Sequence, residues 1–102
     1  MSVPTPSAIL NVASEVYGVN QKQVASRDRH KSTVECRHVA MYFARECLEM
    51  SYPELARAFG LKDHTSAMHA VRRITTMRAS PSPLFAGRIA AIAERLLKEN
   101  EA

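Results

Sequence analysis

Asp63, His64, Thr65 and Ser66, followed by His69, Arg72 and Arg73, concentrate hydrogen-bonding side chains in one short span. Imidazole titrates at roughly pKa 6.5, and both of its forms can donate to a phosphate oxygen or a base edge. Guanidinium adds fixed positive charge and several donors. Asp63 is a good helix N-cap. The backbone N–H groups that follow such a cap also favour an anion. The set suits recognition of an anionic polymer better than bond breaking. Plain first-turn capping accounts for Asp63, Thr65 and Ser66 equally well, and the two roles are compatible.

Other chemistries find little footing. The chain has no phosphate-binding glycine loop, no HExxH and no CxxC. Its four histidines are His30, His38, His64 and His69. His64 and His69 are badly spaced for one helix face and lack a third ligand nearby, so no metal or other cofactor is expected. Cys36 and His38 do not form an oriented nucleophile pair. The chain reads as a non-enzyme. Cys36 and Cys47 fit neither a disulfide framework nor a zinc site and are predicted to be buried free thiols.

The elements that must position the donor set are two helices and a turn, Ser51 to Arg73. Ser51 and Glu54 form a capping box, and Pro53 sits in the first turn, where a missing N–H costs nothing. Leu55, Ala56 and Phe59 supply an apolar face, and Gly60 a left-handed stop. The spacing is that of a helix-turn-helix, in which the second helix enters the major groove of DNA. In the common pattern the apolar core positions would fall on Ser66 and His69. Met68 and Val71 keep the right separation two residues later. The turn is therefore predicted to be long, with Met68, Val71, Ile74 and Thr75 inward and Thr65, His69, Arg72 and Arg73 outward.

The rest of the chain reads as further helices. Ser7 to Tyr17 buries Ile9, Val12, Ala13 and Val16 at helical spacing and stops at Gly18. Asn20 caps a short helix ending near Ala25. Ser26 to Lys31 is a polar, basic loop. Thr33 to Met50 is a central helix with a wide apolar face through Val39, Phe43 and Cys47, on which Arg45 and Glu49 could pair. After Ala79 to Pro83, a last helix from Leu84 to Glu99 covers the core with Phe85, Ile89, Ile92, Ala93, Leu96 and Leu97. The expected class is all-α: a compact bundle of about six helices, with residues 1–7 a loose arm, 8–102 one domain and 84–99 its covering helix.

Composition agrees with this. At 102 residues and 46% hydrophobic content, one small ordered domain is expected. A net charge of +4 favours nucleic acid as a partner. No signal peptide and no membrane-spanning stretch is read, which predicts a cytoplasmic, nucleoid-associated protein with no membrane partner and no small-molecule substrate.

Lys62-Asp63-His64-Thr65-Ser66 with His69-Ala70-Val71-Arg72-Arg73-Ile74 resembles the signature of the C-terminal DNA-binding domain of the bacterial DnaA replication initiators. Val39-Ala40-Met41-Tyr42-Phe43-Ala44-Arg45-Glu46, Ser51-Tyr52-Pro53-Glu54-Leu55 and Ala58-Phe59-Gly60 resemble it in the same order. The resemblance implies a Trp-repressor-like helical fold and double-stranded DNA as partner. It implies base reading by Asp63, His64, Thr65, Ser66 and His69 in the major groove, and by Arg29 of the basic loop in the minor groove. It also implies backbone contacts at Arg37 and Arg45. Arg27, Lys31, His38, Lys62, Arg72 and Arg73 complete the expected backbone set.

This chain departs from the family at Glu35-Cys36-Arg37-His38, at Asp28 and His30 in the loop, at Leu61 in the turn, and at Ser66, which lacks a threonine methyl. The reading is a sequence-preferring DNA-binding regulator of transcription or replication without ATPase activity, monomer or weak dimer. Asp28 and Glu35, acids expected to face phosphate, favour the alternative of a protein-interaction module that lost DNA. A piece cut from a full initiator is the other alternative, and the MSVPTPSAIL start favours a free-standing chain.

Overall fold

A computed structural model of the chain describes residues 5–25 and 30–101. These form six helices and, among the described residues, no strand: α1 (Pro6–Tyr17), α2 (Gln21–Ala25), α3 (Lys31–Leu48), α4 (Tyr52–Ala58), α5 (His64–Ala79) and α6 (Pro83–Glu101). The central element is α3, which packs against α1, α2, α4 and α5, while α6 lies on α1. Ile9, Val12, Val39, Met41, Leu55, Ile74 and Ile92 are fully buried. Each such side chain contributes about 1.5–3 kcal/mol by leaving water. Together they join all the longer helices into one core.

Local chemistry sets the helix ends. The Thr5 hydroxyl accepts from the Ala8 N–H, and Pro6 occupies the first turn, so α1 begins at Pro6 rather than Ser7. Proline likewise starts α6 at Pro83. Asn20 Oδ1 accepts from the Lys22 N–H, and Gln23 Oε1 from the Asn20 N–H, capping α2 as expected. Gly18 and Gly60, both at φ 69°, end α1 and α4 in left-handed conformations that a side chain disfavours. Each stop places its next two N–H groups on carbonyls of the last turn: Gly18 on Glu15 and Val19 on Ser14, then Gly60 on Arg57 and Leu61 on Ala56.

The central helix is shifted N-terminally from its expected bounds. His30 is its N-cap, and Glu49 turns left-handed at φ 53° after Leu48. That turn takes Glu49 out of the i, i+4 row, and no ion pair joins it to Arg45 among the described residues. Cys36 is buried, and burial pushes its thiol up to about 11. Cys47, expected to be buried, is exposed near the end of the apolar face. Two residues assigned to the α6 stripe also face solvent: Ala93 and, at 61% exposure, Leu97.

The side of the bundle formed by α1, α3 and α6 is tied by polar groups. The Tyr17 hydroxyl donates to Glu35 Oε2 at 2.6 Å. Arg88 approaches the same oxygen at 3.7 Å and lies over the Tyr17 ring at 4.5 Å. Burial first, then the bond to Glu35, raises the Tyr17 phenol above its usual range. Arg95 pairs with Glu15 across α6 and α1. Glu35, expected to face phosphate, is instead half-buried among these partners.

Candidate nucleic-acid interface

The turn-forming pair is α4 and α5. The Ser51 hydroxyl accepts from the Glu54 N–H at 3.2 Å, and the Glu54 carboxylate accepts from the Ser51 N–H at 3.1 Å. These bonds hold the Glu54 carboxyl below its usual range. Leu55 and Ala56 face inward, and Phe59 is half-buried. After Gly60, residues 61–63 carry the chain to α5. Asp63 caps that helix: its Oδ1 accepts from the N–H groups of Thr65 at 2.9 Å and Ser66 at 3.2 Å.

The inward face of α5 is Ala67, Ala70, Val71 and Ile74. This corrects the expected register. Met68 is only half-buried, and Thr75 is exposed, its hydroxyl donating back to the Val71 carbonyl. The core positions are thus displaced by one residue from Ser66 and His69, not by two. The reason is size: where two helices pack closely, alanine fits and methionine is pushed to the edge. Ala56 on α4 is buried as well.

The outward face keeps the expected residues. Lys62, Asp63, His64, Thr65, Ser66, His69, Arg72 and Arg73 are all exposed. Thr65, His69 and Arg72 recur at i, i+4 and i+7, and Thr76 continues the row one turn later. Thr76 is absent from the expected site, although the same spacing marks it. Its hydroxyl donates to the Arg72 carbonyl at 3.0 Å, so its oxygen lone pairs and its methyl group are what remain for a ligand. The Asp63 oxygen that caps α5 is committed to the backbone, so its role is first to start the helix.

The other expected residues fall in three places. Lys31 is exposed at the first turn of α3. Arg37 and His38 sit half-buried farther along α3. Arg37 Nε donates to the Val24 carbonyl at 3.0 Å and so staples α2 to α3. His38 lies close enough to Arg73 for the two to interact electrostatically across α3 and α5. Its Nδ1 is buried without a hydrogen-bond partner, and burial, followed by Arg73 and Arg37, lowers its pKa. Arg45 lies at the far end of α3, beside the start of α4. Arg27 and Arg29, with the loop's Asp28, lie outside the described residues.

The arrangement offers a row of donors on one exposed helix, with Arg73 beside His38 of α3. Among the described residues no group of three or more potential metal ligands comes together. None of their helices is long and apolar enough to cross a membrane.

Comparison with known proteins gives a consistent neighbourhood. Residues 6–74 match the family described as "Bacterial dnaA protein helix-turn-helix". The chain is 34% identical to the chromosomal replication initiator protein DnaA of Agrobacterium fabrum over 92% of its own length and 19% of that protein. It is 40% identical to the DnaA of Sphingopyxis alaskensis over 78% of its length and 17% of that protein. The chain thus spans under a fifth of the length of these curated relatives. A crystal structure described as a DNA replication initiation factor superposes with a TM-score of 0.78 at 29% identity, covering 92% of this chain and 28% of that one.

Proposed function

The chain belongs to the bacterial DnaA helix-turn-helix family, and on that premise we propose that it binds double-stranded DNA with a preference for sequence. In this reading α5 enters the major groove. His64, Thr65, Ser66 and His69 meet base edges there, and Asp63 holds the helix start. The loop around Arg29 approaches the minor groove. Arg27, Lys31, Arg37, His38, Arg45, Lys62, Arg72 and Arg73 meet the backbone and set register rather than sequence.

The observation that carries this reading is the exposed Thr65, His69 and Arg72 row directly beyond the Asp63 cap. The side chains of Lys62, His64, His69, Arg72 and Arg73 make no hydrogen bond or ion pair among the described residues. They are therefore free to donate to an outside acceptor. The fold supports a role for the exposed cations as well, because the first helix of a helix-turn-helix crosses the phosphate backbone.

The reading makes the chain a DNA-binding regulator of replication or transcription acting in the cytoplasm. The 102 residues contain no phosphate-binding glycine loop, and nucleotide hydrolysis is not assigned to them. The rival role of a protein-interaction module rests on Asp28 and Glu35. Glu35 is drawn into the Tyr17 and Arg88 cluster, which removes one of its two supports.

Selection of binders from a random duplex library, read by sequencing, tests the proposal. An enriched sequence is expected. A mobility-shift series over salt should then show affinity falling steeply, as neutralisation of several backbone phosphates requires. No enrichment together with a flat salt response would overturn the reading.

A further inference from the structure

Arg45 is held between a backbone carbonyl and an aromatic ring where α3 meets α4, as Arg78 is held by the hydroxyl and ring of Tyr42 at the far end of α5. One terminal nitrogen of Arg45 donates to the Met50 carbonyl at 2.8 Å. Its guanidinium carbon stands 3.8 Å from the centre of the Tyr52 ring, so the group stacks on the aromatic face. Glu46 and Glu49 share a recess of about 350 Å³ with it. Neither carboxylate pairs with it among the described residues. A guanidinium has five N–H donors in a rigid fork. With one on a carbonyl and one face on a ring, the remaining donors have no partner among the described residues.

The holding groups come from the segment that ends α3 and begins α4. Glu49 turns left-handed there, Met50 presents its carbonyl, and Tyr52 opens α4 beside the capping box. In helix-turn-helix docking the first helix crosses the backbone. The guanidinium is thus fixed beside the helix that meets phosphate. A fixed arginine has less side-chain freedom left to lose on binding.

We propose that Tyr52, together with the Met50 carbonyl, is a positioning group that pre-orients Arg45 for a backbone phosphate of bound DNA. This rests on the DNA-binding reading above. Tyr52 itself need not touch the duplex. Its ring supplies a stacking surface, so phenylalanine should replace it and leucine should not.

The test is a double-mutant cycle on the full chain, using the duplex enriched by selection and the unselected pool. R45A is expected to lower affinity for the enriched duplex about tenfold at low salt and to reduce the slope of log affinity against log salt by about 0.9, one phosphate contact. Y52L is expected to lower affinity about threefold in the wild-type background and not at all in the R45A background. Y52F should stay within about twofold of the wild type.

A purely structural role for Tyr52 predicts the same loss in both backgrounds, and that result would overturn the inference, as would an unchanged salt slope in R45A. Wild-type protein that binds neither duplex would overturn the DNA-binding reading and this inference together. Wild-type binding with an additive cycle would overturn the inference alone.

Discussion

Two sides of this molecule carry polar residues in similar numbers and use them in opposite ways. On the side built by α1, α3 and α6, Tyr17, Glu35 and Arg88 satisfy one another, and Glu15 meets Arg95. On the turn before α5 and on the outer face of that helix, Lys62, His64, His69, Arg72 and Arg73 have no such partner among the described residues. Both sides are helical, and both lie over the same core. The difference separates polar groups that hold helices together from polar groups left for a ligand. Exposure alone does not make the distinction, since Glu15 and Arg95 are themselves partly exposed.

Substitutions should therefore sort by side. The largest effect is expected at Tyr17. Y17A removes a buried ring, the hydroxyl that donates to Glu35 and the aromatic face under Arg88. Urea unfolding should show a loss of about 3–5 kcal/mol. Duplex affinity, measured at a temperature where the variant is folded, should be unchanged. A fall in affinity as large as that of an α5 variant would erase the distinction.

Next in size are H64A and T65A. Each should weaken binding to the selected sequence by about 1–3 kcal/mol and relax preference at one base position. Their unfolding midpoints should match the wild type. Equal loss on every sequence would move these residues from base reading to backbone contact.

Some of this division is legible in the amino-acid sequence. The caps at Asn20, Ser51 and Asp63 and the stops at Gly18 and Gly60 depend on a few neighbouring residues, so their spacing predicts them well. The outward Thr65, His69 and Arg72 row follows from helical period alone. The inward face of α5 does not, because hydropathy ranks Met68 above Ala67 and Ala70, whereas the fully buried positions hold the smaller side chains. Glu35 escapes sequence reasoning for a related reason. Its partners come from α1 and α6, and no local pattern marks contacts between helices far apart in sequence. The clamp on Arg45 is equally hidden: it depends on a left-handed turn at Glu49, a residue type with no signature for that conformation.

A smaller effect should separate the helix start from both sides. S51A removes one half of the capping box, and thermal unfolding should show a loss of about 1 kcal/mol. Glu54 is fully exposed, and its carboxyl is held low by bonds from Ser51. The stabilisation it carries is complete above the ordinary carboxylate range and is lost as pH falls through its lowered value. S51A keeps the backbone N–H that is the first cause and should flatten that acid limb only in part, whereas E54Q should abolish it. An unchanged limb in E54Q would mean that the Glu54 carboxylate is not held by the helix start in solution.

His38 sits on the border between the two uses, half-buried on α3 yet beside Arg73 of the exposed face, and its titration gives the finest test. Burial, then Arg73 and Arg37, lower its pKa, and Glu35 opposes them in part. The unfolded chain, with an ordinary histidine near about 6.5, therefore binds more protons than the folded one as pH falls below that value. Stability contributed by the neutral ring is complete above about pH 6.5 and declines toward the lowered folded pKa. Thermal midpoints of the wild type should fall over this window more than those of H38Q. His30, His64 and His69 are common to both proteins and cancel in the difference. A phosphate bound near Arg73 would offset the positive field on the ring, so saturating duplex should shrink the difference in acid decline between the wild type and H38Q. A difference that duplex does not alter would place His38 with the internal polar groups of α1, α3 and α6 rather than at the edge of the DNA face.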